Sequence, residues 1–172
     1  MPSGRTHDRI TWLCSAPVLY GAWHVAAQWP PALCAGGAFV FAGLMFSGDL
    51  DLPSVQYQRW GPLRWIWKPY QWCVPHRSRL SHGILVGPAV RLLYLSVVLL
   101  VLGAGAYWGL HALGRAPSEA VLTREARLAV AVGRRDQLAL LYALAGLWLG
   151  GASHTAADVS VSWWKRRRRR AR

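Results

Sequence analysis

Long apolar runs separated by short polar stretches dominate the chain. Between Arg9 and Asp49 there are 39 consecutive positions without Asp, Glu, Lys or Arg, and a bilayer-spanning helix needs only about 20. The Trp29-Pro30-Pro31 sequence breaks this stretch, because proline interrupts a helix and aromatic residues collect at membrane interfaces. Two helices are therefore predicted, over residues 10–28 and 32–47, as a hairpin. A third follows Arg91 over residues 92–114, free of formal charge apart from any that His111 takes up. A fourth covers residues 137–157 and is closed by Asp158. None is strongly one-sided, as expected of helices that are apolar all round. The pattern predicts an all-α polytopic membrane protein with about four transmembrane helices, and leaves a compact soluble all-α core as the alternative. A secretory signal is excluded because no small-residue cleavage site follows the first run and a second apolar segment comes at once.

Composition sharpens this picture. The 172 residues carry 20 Lys+Arg against 7 Asp+Glu, a formal charge of +13, while 53% are hydrophobic and only 16% charged. That length fits one domain, here residues 1–164 as the helical membrane domain, with residues 165–172 as a disordered basic tail. So little charge excludes a disordered basic protein and a highly solvated enzyme surface. Cys14, Cys34 and Cys73 are too few and too scattered for a disulfide framework or a thiolate zinc module, and read as buried small hydrophobes.

Four crossings would place both termini on one face. Fifteen of the twenty basic residues then lie on that face and five in the loop over residues 115–136. The positive-inside rule puts the termini and residues 49–91 on the cytoplasmic side of the cell inner membrane. Trp60, Trp65, Trp67 and Trp72, set among Arg59, Arg64 and Lys68, suggest an interfacial segment in the headgroup region. Trp163 and Trp164 precede the basic tail in the same way. That tail is expected to meet anionic lipid headgroups. Nucleic acid is the weaker partner, since a basic run without a recognition motif gives only salt-sensitive, sequence-independent affinity.

The seven carboxylates are informative by position. Asp8 adjoins His7, Asp49 and Asp51 lie in Gly48-Asp49-Leu50-Asp51, and Asp158 follows His154 by four, the spacing that puts two side chains on one helical face. Glu119, Glu125 and Asp136 fall among arginines in the opposite loop and read as solvated partners. His76 and His82, six apart, do not share a helical face, but converge if the first lies in a loop and the second opens the third span. His7, Asp49, Asp51, His76, His82, His154 and Asp158 thus all come out at the cytoplasmic face. His24 and His111 sit at the far ends of their spans and read as structural. A His/Asp set without thiolates suits Zn²⁺, with Mn²⁺ or Fe²⁺ as alternatives. Seven ligands exceed one tetrahedral site and would suit two or more ions joined by a carboxylate, the arrangement that clamps a phosphoester for hydrolysis. Arg77 and Arg79, beside a ligand histidine, are placed to hold an anionic oxygen of such a substrate or of a lipid. No phosphate-cradling Gly-rich loop, serine nucleophile elbow or internal repeat is present.

Several of these segments carry a resemblance. The start Met1-Pro2-Ser3-Gly4-Arg5-Thr6-His7-Asp8, the Gly48-Asp49-Leu50-Asp51 acid pair followed by Ser54-Val55-Gln56-Tyr57, the His76-Arg77-Ser78 and Ser81-His82-Gly83 segments, and Ser153-His154-Thr155-Ala156-Ala157-Asp158 resemble an uncharacterised bacterial family of metal-binding proteins. Their order is similar to that of inner-membrane metal-dependent hydrolases and, more distantly, of the zinc-dependent phospholipase C superfamily, an all-α fold. The resemblance implies metal ligation by the seven residues named above and a hydrolase acting on phosphoesters. Asp49 or Asp51 would then orient the attacking water, and Arg77 would meet the developing negative charge. The alternatives are a non-enzymatic metal-binding or membrane scaffold protein holding a structural ion, and a lipid- or nucleic-acid-binding module driven by the tail.

Overall fold

The computed structural model describes residues 4–76 and 78–170, without the side chain of Lys165, and no strand occurs among them. Helix α1 spans Gly4–Ala26, α2 Trp29–Met45, α3 Val55–Arg59, α4 Lys68–Cys73, α5 Arg79–His82, α6 Val86–Ala112, α7 Glu119–Arg135 and α8 Gln137–Arg170, with 3₁₀ turns at Gly48–Asp51 and Gly61–Trp67.

The all-α expectation holds, and three segments are long and apolar enough to cross a membrane: Trp29–Asp51, Val86–Ala112 and Gln137–Arg170. The first expected span, residues 10–28, is not among them. Residues 10–26 form the body of α1 and the chain turns at Ala27, whose φ is +51°; α1 carries Arg5, Asp8 and Arg9 at its start and His24 near its end and is less apolar than the three helices that qualify. The break therefore lies before Trp29. Pro30 and Pro31 sit inside the first turn of α2, where a missing N–H leaves no helical bond unmade.

Three further expectations are corrected. The segment over residues 115–136 is not a loop but carries helix α7, opened by Ser118, whose side chain accepts from the Val121 amide, and closed by Arg134 and Arg135. The basic tail, expected to be disordered, is helical as far as Arg170. Arginine is a good helix former, and cations suit the negative end of the helix dipole; Arg167 and Arg168 also lie 4.5 and 4.1 Å over the rings of Trp163 and Trp164. Cys34 and Cys73 are exposed and Cys14 is half-buried, because α1 and α2 bury other faces and α4 buries Tyr70.

Helix α2 is the centre of the assembly, packed along both α1 and α8. Its approach to α8 is unusually close. A Cβ at Gly146 would run into the Ala35 carbonyl oxygen, and one at Gly150 would lie 2.5 Å from that of Phe39. This is the small-xxx-small packing by which apolar helices associate when the hydrophobic effect between them is weak. Below the helix ends, Phe46, Leu50, Tyr57, Trp67, Tyr70 and Val74 form a core. Trp67, expected at an interface, is wholly buried there, with its ring 5.6, 5.1 and 5.7 Å from those of Phe46, Trp60 and Tyr70 in edge-on contacts. Its large ring gains more from such packing than from a headgroup position. Trp65 and Trp72 are exposed.

Candidate metal centre

Four stretches far apart in sequence meet at one end of this assembly. His7 comes from the first turns of α1, and Asp49 and Asp51 from the 3₁₀ turn after α2. His76 lies in the loop after α4 and His82 ends α5; His154 and Asp158 occupy successive turns of α8. Local chemistry shapes each stretch. The Ser54 hydroxyl accepts from the Tyr57 amide at the start of α3 and donates to the Asp49 carbonyl at 2.7 Å, which ties the acid-bearing turn to the next helix. Ser78 caps α5 by accepting from the Ser81 amide. A Cβ at Gly48 would stand 3.0 Å from the His82 ring, so a side chain there would push that imidazole away from the turn by a few tenths of an ångström.

The donor atoms form two groups that share His82. In the first, Asp49, His82, His154 and Asp158 offer ligand atoms all within 4.8 Å of one another. Asp49 Oδ1 lies 3.4 Å from His154 Nε2 and 3.7 Å from His82 Nε2. Asp158 Oδ2 lies 3.6 and 3.9 Å from the same two nitrogens. These separations are too long for hydrogen bonds. They match the donor spacing of a tetrahedral ion, about 3.4 Å for ligands at 2.1 Å. In the second group, Asp51 Oδ1 is 2.9 Å from His76 Nδ1, and Asp51 Oδ2 is 3.6 Å from His82 Nδ1. His7 borders the first: its Nε2 is 3.3 Å from Asp158 Oδ1, and its ring stacks on His154 at 3.9 Å.

Two further observations favour a cation here. His7 Nδ1, Asp51 Oδ2, His82 Nε2, His154 Nε2 and both Asp158 oxygens are buried without a hydrogen-bond partner, a costly state for polar atoms unless an ion completes them. Charge points the same way. Three carboxylates face one another, and the buried cation beside them is Arg91, which interacts electrostatically with Asp51 and Asp49. With neutral imidazoles the cluster is two positive charges short of neutrality, the charge of one divalent ion.

A supporting shell holds the donors. The Gln56 carboxamide oxygen accepts from the Ser47 hydroxyl at 2.7 Å and its amide at 3.3 Å, while its Nε2 donates to the Gly43 carbonyl at 3.1 Å and faces His154 Nδ1 at 3.4 Å. The Ser81 hydroxyl lies 2.9 Å from His82 Nδ1. Arg91 donates to the Ser81 carbonyl at 2.7 Å, bracing the residue next to His82. At the rim, Arg59 grips Asp8 with both guanidinium nitrogens, at 2.8 and 2.5 Å, and donates to the Leu44 carbonyl at 2.9 Å. That hydrogen bonding raises the Arg59 pKa, and burial raises that of Tyr70 in the adjoining core.

The structure thus brings together all seven predicted ligands. Asp8 instead pairs with Arg59. His82 ends α5 rather than opening the third span, and His76 reaches it from the loop, with ring centroids 5.5 Å apart. Arg77, expected to act in catalysis, lies outside the described residues, and Arg79 is exposed. His24 and His111 take no part in the cluster; their neighbours are Tyr20 and Tyr107 with Trp108. Gln56 and Arg91 were missed by sequence reasoning. The signal for Gln56 is its place in the Ser54-Val55-Gln56-Tyr57 segment of the resemblance, which gave it no role, and Arg91 looks like an ordinary basic flank of a span.

Helix ends that converge on a buried His/Asp donor cluster, in a chain without strands among its described residues, define the class of a helical protein equipped to bind metal. Residues 2–168 match the model of the family described as uncharacterized metal-binding protein (DUF2227), and the chain belongs to that family. No curated protein and no solved structure matches it.

Proposed function

We propose that the protein is a membrane-embedded, divalent-metal-dependent hydrolase of phosphoesters. The observation that carries this reading is the pairing of a closed donor group with an open one. Asp49, His82, His154 and Asp158 make a complete four-donor set around one resident ion, Zn²⁺ or alternatively Mn²⁺ or Fe²⁺. Neutral His82 has a single lone pair. Once its Nε2 faces that ion, its Nδ1–H turns to Asp51 and Ser81, as in carboxylate–histidine–metal triads. The buried Asp51 and His76, whose side chain is 31% exposed and opens the group to solvent, then remain for a phosphoryl group and the second cation that would accompany its charge.

A divalent ion supplies Lewis acidity and an activated water at such a site. The residues supply the rest. Asp49 faces the cluster through one oxygen and is partly exposed, which leaves its other oxygen to orient a water and take its proton. Asp51 holds His82 and His76 in place. Arg77, next to His76 in sequence, is assigned the developing phosphoryl charge. The resemblance to membrane hydrolases noted above supports the same reaction class.

Membrane embedding is supported by α6, which leaves Leu99, Leu100, Val101 and Leu102 exposed in the manner of a lipid-facing helix. The basic residues flanking the metal end favour the inner membrane, with the termini and the site on the cytoplasmic face. The helical Trp/Arg end of α8 suits anionic headgroups there.

A second reading has its own support: four protein donors already saturate a tetrahedral ion, as in structural sites. Metal content and phosphodiesterase activity of the detergent-purified protein, with His76→Ala and His154→Ala beside the wild type, separate the two. The hydrolase reading expects His154→Ala to lose both, and His76→Ala to keep its resident metal while losing activity. Stoichiometric metal with no hydrolysis of any phosphoester leaves the structural ion.

A further inference from the structure

Helix α7 has no buried residue and touches the rest of the chain chiefly through a few contacts with α8. At 100° per residue, Arg134, Arg127, Arg124 and Arg135 fall within an arc of about 100°, while Leu128, Val121 and Val132 gather within about 40° next to it. Those three apolar side chains are 47–57% exposed. Leu128, Ala129 and Val132 also line an apolar groove against Pro30 and Cys34 of α2 and Leu140 of α8, and Glu125 turns into that groove beside Asp136 instead of joining the arginine row. Both ends of α7 connect to helices long and apolar enough to cross a bilayer. His82 lies just before α6, whose 27 residues measure about 40 Å, so α7 sits at the end of the molecule away from the metal centre.

We infer that α7 is an interfacial anchor: its apolar side faces the acyl chains of phospholipids in the leaflet opposite the metal site, and its arginine row binds their phosphates. This rests on the membrane reading above and is independent of any hydrolase activity. Charge complementarity selects lipid over a protein partner. Four arginines on the flank of an exposed apolar strip match the layering of a phospholipid leaflet, phosphate above hydrocarbon.

The test uses the full chain reconstituted in phosphatidylcholine vesicles containing phosphatidylglycerol. Single spin labels are placed at Leu128→Cys, Arg127→Cys and Leu100→Cys, with the native cysteines replaced by serine. Collision of each label with oxygen, which concentrates in hydrocarbon, is compared with collision with a water-soluble nickel complex. The Leu128 label is expected to resemble the Leu100 label, with an oxygen-to-nickel ratio several-fold above that of the Arg127 label. Replacing Arg124, Arg127, Arg134 and Arg135 by glutamine is expected to lower the Leu128 ratio. If Leu100 reports hydrocarbon while Leu128 reports water, the anchor is overturned and the membrane reading stands. If Leu100 also reports water, both fall. A Leu128 label shielded from both reagents overturns the inference in favour of a protein partner.

Discussion

The close approach of α2 and α8 sets the metal centre, and Gly150→Ala tests that link. The new methyl group would lie 2.5 Å from the Phe39 carbonyl oxygen, 2.7 Å from the Ala42 Cβ and 3.1 Å from the Gly43 amide nitrogen. None of these is the tip of a flexible side chain, so the helices themselves must separate, by about 1 Å to restore ordinary contacts of 3.5 Å or more. His154 is one turn further along α8 and faces Asp49 at 3.4 Å. A shift of that size opens the donor pair beyond the reach of one ion. The expected result is a loss of about 1–3 kcal/mol in stability from overpacking and a fall of about 10- to 100-fold in metal affinity, the scale seen when supporting residues of a metal site are disturbed. Competition with a chromophoric chelator measures the affinity, and pulse proteolysis the stability. Gly105→Ala is the control. Nothing lies within 4 Å of a Cβ there, so metal binding should be unchanged and the helix slightly favoured. Wild-type metal affinity in Gly150→Ala would refute the claim that this helix contact sets the donor geometry.

Arg59→Ala removes the fork that holds Asp8, and with it the anchor of the His7-bearing turn. The pair is partly exposed and of modest worth, so the chelator titration should show a loss of only a few-fold, and a loss as large as that of His154→Ala would mean that Arg59 does more than position α1. Metal affinity should fall as pH falls, because each imidazole ligand must give up its proton to bind and protons therefore compete with the ion. Calorimetry in buffers of different ionisation heat should find protons released on binding, and their absence would argue against histidine ligation. Chelation should raise amide exchange over the first turns of α1 more than along α2, since His7 there joins the cluster while α2 is packed along both α1 and α8; equal exchange in the two helices would contradict that.

How much of this was legible in the sequence follows from where charge stands out. In a chain with only seven carboxylates, Asp49, Asp51 and Asp158 are conspicuous at the edges of apolar runs, and His154 four residues before Asp158 needs only helical geometry to become a ligand pair. Convergence of His7 and His76 on the same point needed topology, which the hairpin and the loop supplied. Residues whose role lies in packing stayed hidden. Trp67 has the same sequence surroundings as Trp65, yet one is core and the other exposed. Arg91 was indistinguishable from a basic flank until its guanidinium was seen buried against Ser81. Other signals were present and unread: the Gly146/Gly150 spacing of a close helix contact, and the alternation of Arg124, Arg127 and Arg134 with Val121, Leu128 and Val132 that makes α7 a helix.

The placement of the cluster also explains why its chain can be so poor in carboxylates. Three aspartates at the meeting point of α1, the end of α2, the segment before α6, and α8 repel one another when bare, and Arg91 offsets only one of their charges. An ion does two things there at once. It removes the repulsion, and it ties the start of α1 to stretches that the aromatic core around Trp67 already joins through Phe46, Leu50, Val90 and Leu147. The binding free energy of the ion is then partly folding free energy, spent on ordering those ends. A site of this kind is built from side chains at the termini of helices, leaving the helix interiors free to be apolar throughout, and this is the division between charge-bearing ends and charge-free middles with which the sequence presents itself.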